Sequence, residues 1–469
     1  MQQDQFLTYW LLLPLIGIVL FGVSEWGRNG RSEEEQGGWF SVLRRFALRF
    51  SMVYWVLYLI PAPLNMMIHG KWNVIDQYSG EWTDSAVQWI ATNLIGMEGE
   101  LAVSRASGDT TGNYIRVLAI FVTAIVSAAI WTAVVRKPNK AVASDLLRTY
   151  LRYSLAFVLI VYGLAKLFPF TNQFPDPSLS RLMQPYGDSS PMGILWTFMG
   201  ASRPYTYFAG AMEVVAAVLL FSRKTSMLGA LFSAGVMLNV ASLNFFYDVP
   251  VKLYSSHLLL MAVFLVLADA DRLIAFFVSS KESRPASLSS PFFDRYSSSL
   301  KSAAKAIVIL LGFIVPTYRS YDQNHFAAEV SASEPDWFGT FEVVEHQVDG
   351  VSVTSQESRW SRLTVSRLPY SYSIEDGLEW KANDIYSIQL GDETVLRGVS
   401  TLSEDGLLLQ LENSAPDELT VEAFDGRYLS LSAYIDGKEL TLHLKKLRRE
   451  DYLLVNRGYH WINEFPYNR

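Results

Sequence analysis

Long unbroken apolar runs fill the first two thirds of the chain, and short alternating ones fill the last third. A helix needs about 20 largely apolar residues to cross a hydrocarbon core of about 30 Å. The runs that meet or approach this are FLTYWLLLPLIGIVLFGV (6–23), Phe46 to Pro61, Tyr114 to Val135, Tyr150 to Phe168, Tyr207 to Phe221, Met227 to Leu243, Leu253 to Phe277, and Ile307 to Pro316 with its Ala- and Ser-bearing flanks. About eight membrane-spanning helices are expected, the last being the shortest. No Lys or Arg precedes the first run and no small-residue cleavage site follows it, so it reads as a retained helix and not as a secretion signal.

From about Trp337 the period changes to two. VEHQVDGVSV, LEWKANDIYSIQL, GLLLQLEN and GKELTLHLKKL alternate or run apolar over strand lengths, and Asp-Gly, a dipeptide of tight hairpins, recurs at 349, 376, 405, 425 and 436. The expected class is α+β: a polytopic helical membrane domain followed by an antiparallel β-sandwich or small barrel. Four segments follow: N-terminal helices with a large outer loop (1–143), a four-helix module (144–278), a Ser-rich linker with the last helix (279–321), and the β-domain (322–469).

Charge separates the two parts. From Asp322 onward there are 26 acidic and 13 basic residues, against 20 and 26 before it. An acidic terminal domain argues against nucleic acid as a partner, which requires a basic face. Lys and Arg accumulate in cytoplasmic loops. With the amino terminus outside, the inner loops hold 17 of them and the outer segments seven, which predicts a cytoplasmic membrane protein with both termini and the β-domain outside. In the first outer loop, with Trp72, Trp82 and Trp89, residues 85–97 read as an interfacial helix. In SGDTTGN (107–113), Asp109, Thr110 or Asn113 is the expected cap of the next helix. The absence of cysteine excludes disulfides and thiolate chemistry, and the six histidines show no metal-ligand spacing.

The remaining signal is polar residues inside or beside apolar runs, where ionisable groups normally face protein or water. Lys166, Glu213 and His257 are the candidate catalytic groups. Asn239, Asn244, Asp248, Lys252, Arg203 and His460 are candidate ligand-binding positions. Those on the helices all fall in the outer halves of their spans. The expectation is a water-accessible pocket under the β-domain, with NFFYDVPVKLYSSH (244–257) as an outer hairpin on its rim. Arg152, near the inner end of its helix, reads as a snorkelling anchor.

YGLAKLF, GAMEVVAAVLLF and NFFYDVPVKLYSSHLLLMAVFLVLAD, in this order within about 145–271, resemble the DoxX-like four-helix membrane proteins. The resemblance carries over Lys166, Glu213, Asn244, Asp248, Lys252 and His257, and implies a link to quinone or sulfur redox systems; the first functional reading is a quinone or lipid ligand in the outer pocket, as part of a membrane redox assembly. Three helices before the module, one after it and the β-domain depart from that pattern. The layout also resembles the vitamin K-dependent γ-carboxylase group, which implies a membrane enzyme with Lys166 as its base. A non-catalytic scaffold whose β-domain binds an envelope protein is the third reading.

Overall fold

The computed structural model describes residues 39–60, 84–99, 101, 109–135, 140–167, 173–282, 285, 289–374, 377–402, 406–410, 417–435 and 437–457. The predicted helix at 6–23 and His460 lie outside them. The chain divides into two units, Met1–Pro169 with Thr206–Arg319, and Phe170–Tyr205 with Ser320–Arg469.

The labelled helices are α1 (Trp39–Leu59), α2 (Thr111–Val134), α3 (Lys140–Leu167), α4 (Pro191–Ala201), α5 (Arg203–Phe221), α6 (Ser226–Phe246), α7 (Lys252–Leu267) and α8 (Ser298–Ala332). Five helices among the described residues are long and apolar enough to cross a membrane: α2, α3 from Ala141, α5, α6, and Ser298–Tyr318 of α8; α7 is a shorter apolar helix. The chain is thus compatible with a multi-pass membrane protein. Residues 46–59 of the predicted span 46–61 lie within α1, which also carries Arg44, Arg45 and Arg49, and Pro61 lies outside the described residues.

Two predicted boundaries are corrected. The run Leu253 to Phe277 is not one helix: α7 ends at Leu267, and a four-residue helix (Ala270–Leu273) and a π-helical turn (Ile274–Val278) follow. The interruption falls at Asp269, whose carboxylate takes Arg148 at 2.7 Å and Arg272 at 3.6 Å. The last span is not short, because α8 continues through Pro316 to a total of 35 residues. Proline removes one backbone donor, but neighbouring hydroxyls can serve the loosened carbonyls of such helices. Here the Thr317 hydroxyl donates to the Phe313 carbonyl at 2.7 Å.

Helix α3 is central to the first unit. Residues 154–160 are buried on every side, and Leu151, Leu155, Phe157 and Ile160 meet Trp55, Leu220, Met261 and Phe264 in one core. Lipid gives helices no hydrophobic reason to associate, so close approach rests on small residues. Gly312 of α8 has this role where Phe157 of α3 lies against it, and Gly229 of α6 where the backbone of Leu219 and Leu220 comes near.

In the second unit, β1 (Gly339–Val348), β3 (Trp360–Ile374), β4 (Gly377–Leu390), β5 (Val395–Leu402), β6 (Gly406–Gln410), β7 (Asp417–Phe424), β8 (Tyr428–Ile435) and β9 (Lys438–Lys446) pair in sequence order, all antiparallel. β9 returns to β1, from Phe341 against Lys446 to Val348 against Leu440. The result is an eight-stranded up-and-down barrel, with the two-residue β2 (Val351–Ser352) forming a hairpin on β1. Of the two architectures expected, it is the barrel. At Asp349-Gly350 both residues have positive φ, 51° and 75°, the backbone of the tight hairpin that the dipeptide favours. Eight strands leave an interior that side chains can fill; Phe341, Leu363, Tyr386, Ile388, Leu429, Leu442 and Leu444 fill it. Arg367 on β3 joins Asp384 through two hydrogen bonds, at 2.6 and 2.9 Å, and donates to the Ser333 carbonyl just beyond α8.

Candidate functional site

Two glycines shape the polar core of the first unit. A Cβ on Gly163 of α3 would lie 2.8 Å from the Gly210 carbonyl oxygen, and one on Gly210 of α5 would lie 2.7 Å from that of Gly163. Each glycine precedes an ionisable residue by three positions. Helical side chains lean toward the N-terminus of their helix. Lys166 accordingly folds back to its own preceding turn, where Nζ donates to the Tyr162 carbonyl at 3.2 Å and to both Glu213 oxygens at 3.0 and 2.8 Å. Both residues are buried, at 9% and 3% exposure. In a low-dielectric interior neither charge is tolerable alone, and the pair satisfies both.

His257 forms a second node. It is fully buried, with Nδ1 2.7 Å from the Leu253 carbonyl and Nε2 2.7 Å from the Tyr54 hydroxyl. A carbonyl only accepts, so Nδ1 carries a proton; in the neutral ring Nε2 accepts from Tyr54. Tyr58 stacks on the imidazole with centroids 4.0 Å apart, and Trp55 meets it edge-on at 6.2 Å.

Tyrosines lie between the nodes. Tyr254 precedes His257 by one turn of α7, Tyr162 precedes Lys166 by one turn of α3, and their rings are 6.3 Å apart. Nζ of Lys166 is 5.6 Å from the Tyr162 ring centroid. The core therefore offers an ion pair, a polarised imidazole and a set of phenols, groups that can hydrogen-bond carbonyl oxygens and pass protons.

The other predicted positions are dispersed. Asn244 is buried and Asn239 is exposed on α6. Asp248 is exposed at φ 50° and pairs with Lys252 at 2.7 Å. Lys252 opens α7, whose first two amides, those of Lys252 and Leu253, donate to the two oxygens of Asp109 at 2.8 and 3.0 Å. Asp109 thus caps a helix 143 residues away, while Thr110 accepts from the Asn113 amide and caps α2. Tyr54, Tyr58, Tyr162 and Tyr254 are the participants that sequence reasoning missed; Asp109, expected to cap the helix that follows it, caps α7 instead. A tyrosine in an apolar run looks like any core aromatic.

Arg203 belongs to the second unit. It binds Asp176 at 2.9 and 2.6 Å, and Arg449 approaches the same carboxylate at 3.3 Å. The hydrogen bonds from Arg203 are the main cause that holds the Asp176 carboxyl below the ordinary carboxylate range. A depressed carboxyl contributes stability above its unfolded pKa of about 3.9, and loses it as pH falls through the folded value. Asp176→Asn is expected to lower the thermal midpoint of the full-length protein in detergent by a constant amount from about pH 7 to pH 5. The difference from wild type should begin to shrink only below about pH 3.9 and be lost as pH falls through the depressed folded value, and a difference independent of pH would remove the ionic role.

No family model matches the chain, and no solved structure matches it. The Bacillus subtilis (strain 168) protein named "Uncharacterized protein YwoB" is similar to it, with 33% identity over 141 residues, which are 30% of this chain and 86% of that protein.

Proposed function

This chain belongs to the family of YwoB from Bacillus subtilis, and we propose that it is an integral membrane protein of DoxX-like type that binds a quinone headgroup beside its buried ion pair, as part of a membrane redox assembly. The observation that carries this reading is the Lys166–Glu213 pair set against the Tyr162–Tyr254 layer. Quinone reduction takes up two electrons and two protons. In this reading the assembly supplies the electrons, the chain presents ammonium and phenol donors to the carbonyl oxygens, and the carboxylate and imidazole exchange protons. The tyrosine rings provide faces for stacking.

The alternative of Lys166 as a general base is less favoured. A base must offer a lone pair, and Nζ already donates to three oxygens as an ammonium would. By the Lys and Arg bias, the site lies in the half of the bundle facing away from the cytoplasm.

Trp55 beside His257 is an internal reporter for the test. Protein purified in detergent and titrated with a short-chain quinone should show saturable quenching of tryptophan fluorescence. Glu213→Gln should weaken it about tenfold or more, the loss of one hydrogen bond to a charged group. Solvent extracts should contain quinone at a fixed ratio to protein. Extracts holding only bulk phospholipid, together with quenching that does not saturate or is equal in Glu213→Gln, would overturn the proposal.

A further inference from the structure

The first unit holds a second polar site along α3, with Arg152 about 21 Å and Asp145 about 31 Å from Lys166 at the rise of a helix. A cavity of about 320 Å³ is lined by Arg148, Arg152, Arg223 and Arg272 against Asp145 and Asp269. The two carboxylates already have partners: Asp145 takes Arg223 at 2.7 Å and the Ser290 hydroxyl, and Asp269 takes Arg148 at 2.7 Å with Arg272 at 3.6 Å. Four guanidinium groups against two carboxylates leave a surplus of two positive charges on the wall.

Arg152 distinguishes this cavity from an ordinary basic loop. It is 8% exposed, its Nε is buried with no hydrogen-bond partner, and it has no carboxylate partner among the described residues. Its guanidinium has the Tyr153 ring at 5.4 Å. An arginine that snorkels reaches water or headgroups with its charged end, whereas this one is enclosed and lines the cavity. A buried cation without a counter-charge is unfavourable, so the site calls for an anion.

We infer that the cavity binds a phosphate-monoester dianion, either free or as the headgroup of an anionic lipid. Guanidinium forks bind phosphate oxygens in pairs, and a tetrahedral group presents oxygens to donors on several walls at once. A charge of −2 matches the surplus. Arg148, Arg223 and Arg272 set the positive field and are themselves held by Asp145 and Asp269, so Arg152 is the group left to contact the anion. The Lys and Arg bias places this end of the bundle at the cytoplasm, where phosphorylated metabolites and anionic headgroups are both available.

Full-length protein in detergent is titrated with inorganic phosphate against chloride at equal ionic strength, and in parallel placed in nanodiscs with or without phosphatidic acid. A saturable rise in thermal midpoint with phosphate in detergent supports the free anion. A rise only with phosphatidic acid supports the headgroup. Arg152→Gln should weaken the response about tenfold or more, and Arg152→Lys should restore part of it. Arg152→Met serves if the glutamine variant fails to fold: it removes the uncompensated charge, and should keep or raise the midpoint without anion while abolishing the anion-dependent rise. No saturable response in either arm, or the same response in the Arg152 variants as in wild type, would overturn the inference.

Discussion

Glu213→Ala is expected to destabilise the protein by about 3–5 kcal/mol, the cost of removing one partner from a buried ion pair. The ammonium of Lys166 would remain at 9% exposure with only the Tyr162 carbonyl as acceptor. Replacing both partners, as Lys166→Met with Glu213→Leu, removes both charges from the interior and should restore most of the lost stability. A double-mutant cycle by thermal unfolding in detergent measures the coupling. Single variants each within about 0.5 kcal/mol of wild type would mean that water reaches the pair. The double variant also separates stability from function: if the pair serves the quinone, the variant folds but no longer quenches with quinone; if it is only a fastening, binding survives.

The helices could be read from the sequence because a bilayer imposes long apolar runs, and the barrel strands because a half-buried sheet imposes alternation. Asp349-Gly350 announced its hairpin by the same logic. What escaped depends on partners distant in the chain. Asp109 looked like a cap for the next helix, but it caps α7, 143 residues on. Arg152 looked like an anchor because position along a helix says nothing of which neighbours enclose it. Pro316 suggested an end, and only Gly312 against Phe157 and the Thr317 hydroxyl explain the continuation. Lys166 and Glu213 were visible as ionisable groups inside apolar runs, and their shared spacing from Gly163 and Gly210 was visible too. That the glycines touch was not, since no periodicity links one helix to another. The partner of His257 was still less accessible, because Tyr54 lies 203 residues earlier.

Gly210→Ala should have an effect comparable to loss of the ion pair, for a steric reason. The new methyl group would lie 2.7 Å from the Gly163 carbonyl oxygen and 2.8 Å from the Lys166 Cβ. Backbone atoms cannot rotate away as a flexible side chain could, so α3 and α5 must separate. Overpacking of this kind costs about 1–3 kcal/mol, and separation lengthens the Lys166–Glu213 contacts as well. Gly235→Ala is the control: it lies in α6, its Cβ would meet nothing within 4 Å, and the change should be neutral or stabilising by up to about 1 kcal/mol from helix propensity. The two effects are coupled in a measurable way. In a Gly210→Ala background the cost of Glu213→Ala should fall, because the pair has already been pulled apart. If the two costs simply add, the glycine contact and the ion pair are independent features of the bundle, and the close approach of α3 and α5 is not what brings the charges together.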